Sequence, residues 1–166
     1  NSTAHLYLHD GSIVDGTGNS NWGGNVTIQG TVTMSGGSIS GGICTNADYQ
    51  MRANVSLNGN GTLNMSGGTI DGQVSVFNSN NTKVNLSGNP VIFSSTGKNH
   101  LSVIEGDKTI TVTVTGALLE GAKIGITGVT SGGLTASAGT QYTLTAQDAA
   151  YFVPQVELKD NKLYMQ

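Results

Sequence analysis

A run of alternating apolar residues that ends in a glycine pair recurs along this chain and restricts what it can fold into. Residues 26–39 read V-T-I-Q-G-T-V-T-M-S-G-G-S-I, with Val26, Ile28, Val32 and Met34 separated by small polar residues before Gly36, Gly37 and Ile39. The pattern returns as Val55, Leu57, Leu63, Met65, Gly67, Gly68 and Ile70, and again as Val74, Val76, Val84, Leu86, Gly88 and Val91. A partial first copy is Leu6, Leu8, Gly11 and Ile13, and a degenerate fifth is Leu101, Val103, Ile110 and Val112. The shared core falls at Met34, Met65 and Leu86, so successive repeats are 31 and 21 residues long. Short period-two strands in a repeat of this size, joined by turns of variable length, specify a β-solenoid. Parallel stacking of such coils gives an all-β parallel β-helix, and the crossover rule favours the right-handed form.

Each coil divides into three faces. The first is 26–28, 55–57, 74–76 and 101–103; the second is 32–34, 63–65, 84–86 and 110–112; the third is a short strand centred on Ile13, Ile39, Ile70 or Val91. Because side chains alternate along a strand, these apolar residues point inward and stack on their equivalents one coil away. Gly36-Gly37 and Gly67-Gly68 sit where the chain must turn sharply. Residues 1–116 form the repeat coils of a single domain, and 117–166 the last coil and a cap. In that last part Ile124-x-Ile126 takes the first-face position, and 146–151 is the best helical stretch. The run V-E-L-K-D-N-K-L-Y-M reads as a terminal β-hairpin with Asp160-Asn161 in its turn. A solenoid end exposes open strands, so a cap is physically required.

Turn lengths localise function. The turn after the third face is long at 14–25 and 40–54, short at 71–73, and long again at 93–100; the turn between the first two faces is long only at 77–83. Insertions thus gather at one corner, and long insertions on a rigid scaffold are where function usually sits.

Only 10% of residues are charged and 25 are glycine, the composition of stacked strands rather than of disorder. A net charge of −3 with seven scattered basic residues argues against nucleic acid and anionic membrane. The single Cys44 permits no internal disulfide and reads as a small apolar turn residue. The sequons at Asn25, Asn54, Asn64 and Asn85 are incidental to so many Asn, Ser and Thr residues. No transmembrane run is present, and a start at Asn1 reads as a processed piece of something longer, flanked by other domains.

The motifs T-M-S-G-G-S-I-S-G, N-M-S-G-G-T-I-D-G and L-S-G-N-P-V-I resemble the glycine-rich repeats of large secreted or surface-anchored proteins of gut bacteria. The later runs K-T-I-T-V-T, T-G-A-L, G-A-K-I-G-I-T and A-A-Y-F carry the same resemblance. It implies a pectate-lyase-like β-helix of adhesin-like character. Similar β-helices occur as carbohydrate-binding modules and as lyases. The insertion at 43–52, with Cys44, Tyr49, Met51 and Arg52, departs from the common repeat.

For catalysis, a lyase needs carboxylates holding Ca²⁺ beside an Arg or Lys base. Asp15, Asp48 and Asp71 fall near the insertion corner with Arg52 close by, although Asp15 and Asp71 also read as Asx turns after the third strand. No Asp/Glu pair lies on a strand, as a glycosidase would want, and His5, His9 and His100 have no metal spacing. The expectation is a non-enzyme without cofactor or metal.

For binding, aromatic residues are scarce, so Trp22 in one corner insertion and Tyr49 in the next stand out. A sugar ring stacks its C–H face on an aromatic and offers hydroxyls to polar neighbours, here Asp48, Gln50, Arg52 and Asp15. Trp22 reads equally as a plug folded over the coil edge. On the second face the outward residues stack as Thr31/Thr33, Thr62/Asn64, Lys83/Asn85 and Thr109/Thr111, an array that either binds a regular polymer or simply stabilises strand pairs. The sequence therefore points to a secreted or surface module that binds a polysaccharide of the plant cell-wall type, such as xylan. A structural stalk and a calcium-dependent lyase are the alternatives.

Overall fold

A computed structural model of the protein describes residues 4–18, 23–45, 54–77, 81–94, 100–105 and 107–166, with the side chains of Cys44, Phe77, Ile104 and Glu105 outside the description. It is a β-solenoid of about five turns. The first coil holds β1 (His5–Leu8) and β2 (Ser12–Val14), and β3 (Thr17–Gly18) lies in its corner insertion. The second holds β4 (Val26–Ile28) and β5 (Thr31–Ser40), with β6 (Ile43–Cys44) in the next insertion. Then come β7 (Val55–Asn58) and β8 (Thr62–Asp71), followed by β9 (Val74–Phe77), β10 (Thr82–Gly88) and β11 (Val91–Ile92). The fifth turn carries β12 (Leu101–Ser102), β13 (Ile104–Glu105), β14 (Lys108–Leu118) and β15 (Lys123–Thr127). The chain closes with β16 (Leu134–Ala138), helix α1 (Ala146–Ala149), β17 (Phe152–Val153), β18 (Val156–Lys159) and β19 (Lys162–Met165).

The parallel register is that of the repeat. Val26, Val55, Val74, Leu101 and Ile126 pair in succession on the first face. Leu6, Val32, Leu63, Val84 and Val112 do so on the second. Ile13, Ile39, Ile70, Ile92, Ile124 and Phe152 do so on the third. The inward residues Ile28, Met34, Ile39, Leu57, Leu63, Met65 and Ile70 join one buried core. The second and third faces are one bent strand in β5 and in β8, and the bend falls at Gly37 (φ +71°) and Gly68 (φ +80°), a conformation glycine adopts without strain.

Three assignments shift. The second face of the fifth coil is 112–114 rather than 110–112, because Val84 pairs with Val112 and Leu86 with Val114. A small antiparallel hairpin, β13 with β14, takes up the extra residues, and Ile110 N–H donates to Val103 O at 2.8 Å to close it. The outward pairs are consequently Lys83 with Thr111 and Asn85 with Thr113. On the third face the inward residue is Ile92, since Val91 pairs with the outward Thr69. Ile124 belongs to that same third face, and only Ile126 reaches the first, because β15 runs through the corner between them.

The C-terminal hairpin forms as expected. β18 and β19 pair antiparallel, Asp160 (φ +49°) and Asn161 (φ +58°) make the turn, and β19 lies antiparallel on β16. Helix α1 is a single turn capped by Thr145.

Candidate functional site

The corner after the third face is built by the two insertions acting together. As the chain leaves β2, Asp15 N–H donates to Ser40 O at 3.2 Å. Beyond that point β3 and β6 pair in parallel, Thr17 with Ile43 and Gly18 with Cys44. Ile43 N–H donates to Gly16 O at 2.9 Å and Thr45 N–H to Gly18 O at 2.8 Å. The coil-to-coil ladder therefore continues outward from the solenoid as a two-stranded shelf. Asn25 and Asn54 hold its inner edge. Asn25 Oδ1 accepts from Gly16 N–H at 2.7 Å, and its Nδ2 donates to Ser40 O at 2.7 Å. Asn54, fully buried, accepts from Gly42 N–H at 2.8 Å and donates to Asp71 O. Side chains of two coils thus fix the backbone on either side of both insertions.

Trp22, Asp48, Tyr49, Gln50 and Arg52 lie outside the described residues; in sequence, Trp22 follows the shelf on the first insertion and the other four follow it on the second. Asp15 is exposed at the shelf's root with φ +56°, and a Cβ on Gly41 would fall 2.2 Å from its Oδ1, so its carboxyl packs against the next coil's turn. That left-handed φ is one aspartate tolerates where the chain turns off a strand. Asp71 sits two coils away, in register with Ser40 and hence with Val14. Two strand spacings, roughly 9–10 Å, separate it from the backbone level of Asp15. Among the described residues, no three of His, Cys, Asp and Glu gather as metal ligands.

The positions that precede the first face form a polar column: Asn25, Asn54, Gln73 and His100, one per coil, by the register of Val26, Val55, Val74 and Leu101. His100 is buried, accepts at Nδ1 from Ser94 N–H at 3.0 Å, and stacks on Phe93 with ring centroids 4.5 Å apart. Burial, and then the charge of Lys123, push its pKa below the ordinary histidine value. One coil away the Gln73 amide and the Ser75 hydroxyl, and two coils away the Ser56 hydroxyl, are buried without a hydrogen-bond partner. The sequon at Asn54 is accordingly closed off inside the fold.

A second feature joins the outward Thr/Asn array of the second face to an aromatic ridge that the sequence reading did not single out. On the outer side of the second face, Tyr7, Thr33, Asn64, Asn85 and Thr113 pair in succession across five strands. Flanking Tyr7 on β1 and just beyond it are His5 and His9, all three exposed, with near-parallel rings at 6.2 Å steps. His9 Nδ1 and Ser35 Oγ are 2.6 Å apart, and Asn85 Nδ2 donates to Asn64 Oδ1 at 2.8 Å. A groove of ≈ 290 Å³ runs past Thr33, Asn64, Ser66, Asn85, Ser87 and Thr115. The signal was present in H-L-Y-L-H: with Leu6 and Leu8 inward, His5, Tyr7 and His9 must face out.

Comparison of the chain with protein-family models, with curated proteins and with solved structures gave no match.

Proposed function

We propose that this protein is a non-catalytic polysaccharide-binding β-helix module of a secreted or surface-exposed bacterial protein. Its ligand-binding corner is made by the two insertions after the third face. The observation that carries this reading is the in-register pairing of β3 with β6, which brings insertions from adjacent coils side by side. Trp22 then supplies a stacking surface from one insertion, and Tyr49 with Asp48, Gln50 and Arg52 supplies another with hydroxyl partners from its neighbour. Asp15 stands exposed at the foot of the shelf. The resemblance of the repeats to glycine-rich, pectate-lyase-like β-helical regions of gut-bacterial surface proteins fits the same reading. Xylan is the favoured ligand, because an uncharged xylose backbone needs stacking and hydroxyl partners more than ion pairs.

A stalk role in a surface adhesin is the second reading. The regular ladder with a hairpin closing one end favours it, since a stack of this kind is a rigid rod. Affinity electrophoresis through gels carrying xylan, mixed-linkage β-glucan, polygalacturonate or host mucin glycans separates the two. Retardation on a plant polysaccharide supports the module, and migration equal to a blank gel on all four supports the stalk. Product assays on the same polymers, with and without Ca²⁺, test the absence of cleavage.

A further inference from the structure

We infer that the outer face of β1, β5, β8, β10 and β14 is a second glycan-binding surface, distinct from the corner, which takes an extended uncharged polysaccharide laid along the solenoid axis. It shares the glycan reading of the corner but rests on other residues. Its anchor is the ridge of His5, Tyr7 and His9. Tyr7 is 60% exposed, in a chain with only five tyrosines and one tryptophan, and its ring lies near-parallel to the imidazoles of His5 and His9, with centroids 6.2 Å apart. Rings so placed present apolar surface with polar tips at the rim, the chemistry that receives the C–H face of a pyranose.

The face that continues from Tyr7 supplies the hydroxyl partners. Thr33 is Tyr7's neighbour in register and opens the groove past Asn64, Ser66, Asn85 and Ser87. The Asn85-to-Asn64 bond uses one N–H of Asn85 and the Asn64 oxygen, so the Asn64 amide protons and the Asn85 oxygen keep hydrogen-bonding capacity. From Tyr7 to Thr113 the row crosses four strand spacings, roughly 19 Å, the footprint of several sugar units.

Charge selects the class of polymer. No Asp or Glu occurs within 31–35, 62–66, 82–88 or 108–116, and of the two cations there, Lys83 and Lys108, the second is paired at 2.7 Å with Asp107 at the margin of the face. Two lysines, one of them already paired, among many hydroxyls and amides give too little positive charge to hold a polyanion, and the carboxylate of Asp107 is taken up by Lys108. The third face lies between this surface and the corner shelf, because β5 passes from Thr33 through Ile39 before reaching Ser40 at the shelf.

The test is affinity electrophoresis of the parent chain, Tyr7→Ala, the double variant Asn64→Ala/Asn85→Ala, and Trp22→Ala through gels carrying xylan, mixed-linkage β-glucan or polygalacturonate, with melting temperatures recorded. Tyr7→Ala and the double variant are expected to lose roughly tenfold or more in retention on a neutral polymer. Tyr7→Ala should melt with the parent. Parent-like retention of Tyr7→Ala and of the double variant overturns the inference, and if Trp22→Ala is then the one that fails, the corner reading survives alone. Loss with Tyr7→Ala but not with Trp22→Ala gives the reverse result. Retention confined to polygalacturonate overturns the assigned ligand class. A change of sedimentation from dimer to monomer in Tyr7→Ala, with retention intact, makes the ridge a contact between copies and also overturns it.

Discussion

The side chain of Asn25 donates from Nδ2 to Oδ1 of Asn54 across one coil, at 2.9 Å. These two residues stand at the exits of the two insertions, so the bond locks together the ends of the loops proposed to bind ligand. Asn54→Ala should strand the buried Gly42 N–H and remove one hydrogen bond each from Asn25 and the Asp71 carbonyl, with about 1–3 kcal/mol lost for the buried donor left unsatisfied. Ser75→Ala, one coil on, removes a buried hydroxyl that has no partner and should be neutral or slightly stabilising. Thermal melts of both variants check the contrast. Equal destabilisation would show that the Asn column is not a brace.

Leu63 tests the register of the core. It pairs with Val32 on one side and Val84 on the other and is fully buried. Leu63→Asp buries an unpaired charge at mid-stack and should prevent folding or lower the melting temperature by well over 10 °C. A parent-like melt would show that Leu63 does not face the core.

The cap should titrate at both ends of the pH scale. Asp148 is buried and accepts from Leu118 N–H, the Tyr142 hydroxyl, and the Thr145 hydroxyl and N–H, at 2.7–2.8 Å. Burial alone would raise its pKa, but these hydrogen bonds together hold it below the ordinary carboxylate value. A depressed carboxylate gives stability that is present above the unfolded value, near 4, and lost as pH falls through the folded one. For Tyr142, burial first and then the Asp148 carboxylate push the phenol up to about 12. Its contribution is present below the unfolded value, near 10, and lost as pH rises towards 12. Tyr142→Phe should flatten the alkaline decline in chemical-denaturation stability between pH 10 and 12. An unchanged decline would place that titration elsewhere.

Gly125 and His100 form a packing pair at the far end of the polar column. A Cβ at Gly125 would fall 2.4 Å from Cγ of the His100 ring, which is held by Ser94 and Phe93. Gly125→Ala should cost about 1–3 kcal/mol through overpacking. Combining it with His100→Ala should recover part of the loss, and strict additivity would rule out the contact. Because the pKa of His100 is depressed, its contribution is present above the unfolded value, near 6.5, and lost as pH falls below it.

The coil and its core were legible in sequence because one period-two pattern, repeated with glycine pairs, fixes which side chains point inward. Leu57, Leu63, Met65 and Ile70 are buried where that pattern puts them. The register was not legible wherever a local element consumed residues without an apolar signature. The β13–β14 hairpin moved the second face from Ile110 to Val112, and a one-residue slip exchanged Val91 for Ile92 in a run where both are apolar. At the corner, the Asn25–Asn54 brace was not legible, because an asparagine that caps a coil reads like any other in a chain rich in Asn. The ridge of His5, Tyr7 and His9 was implicit in the alternation with Leu6 and Leu8, which sends all three to the outer side.

The proposed binding of polysaccharide by the paired insertions is reported on directly by Trp22, the single tryptophan. Titrating the parent with soluble xylan should give a saturable change in tryptophan emission. Tyr49→Ala should abolish that change while keeping the parent's melting temperature, since a stacking aromatic at the centre of a weak site contributes about 1–3 kcal/mol. Emission that stays constant while the parent is retained on a xylan gel would contradict the account, as would a Tyr49→Ala variant that titrates like the parent.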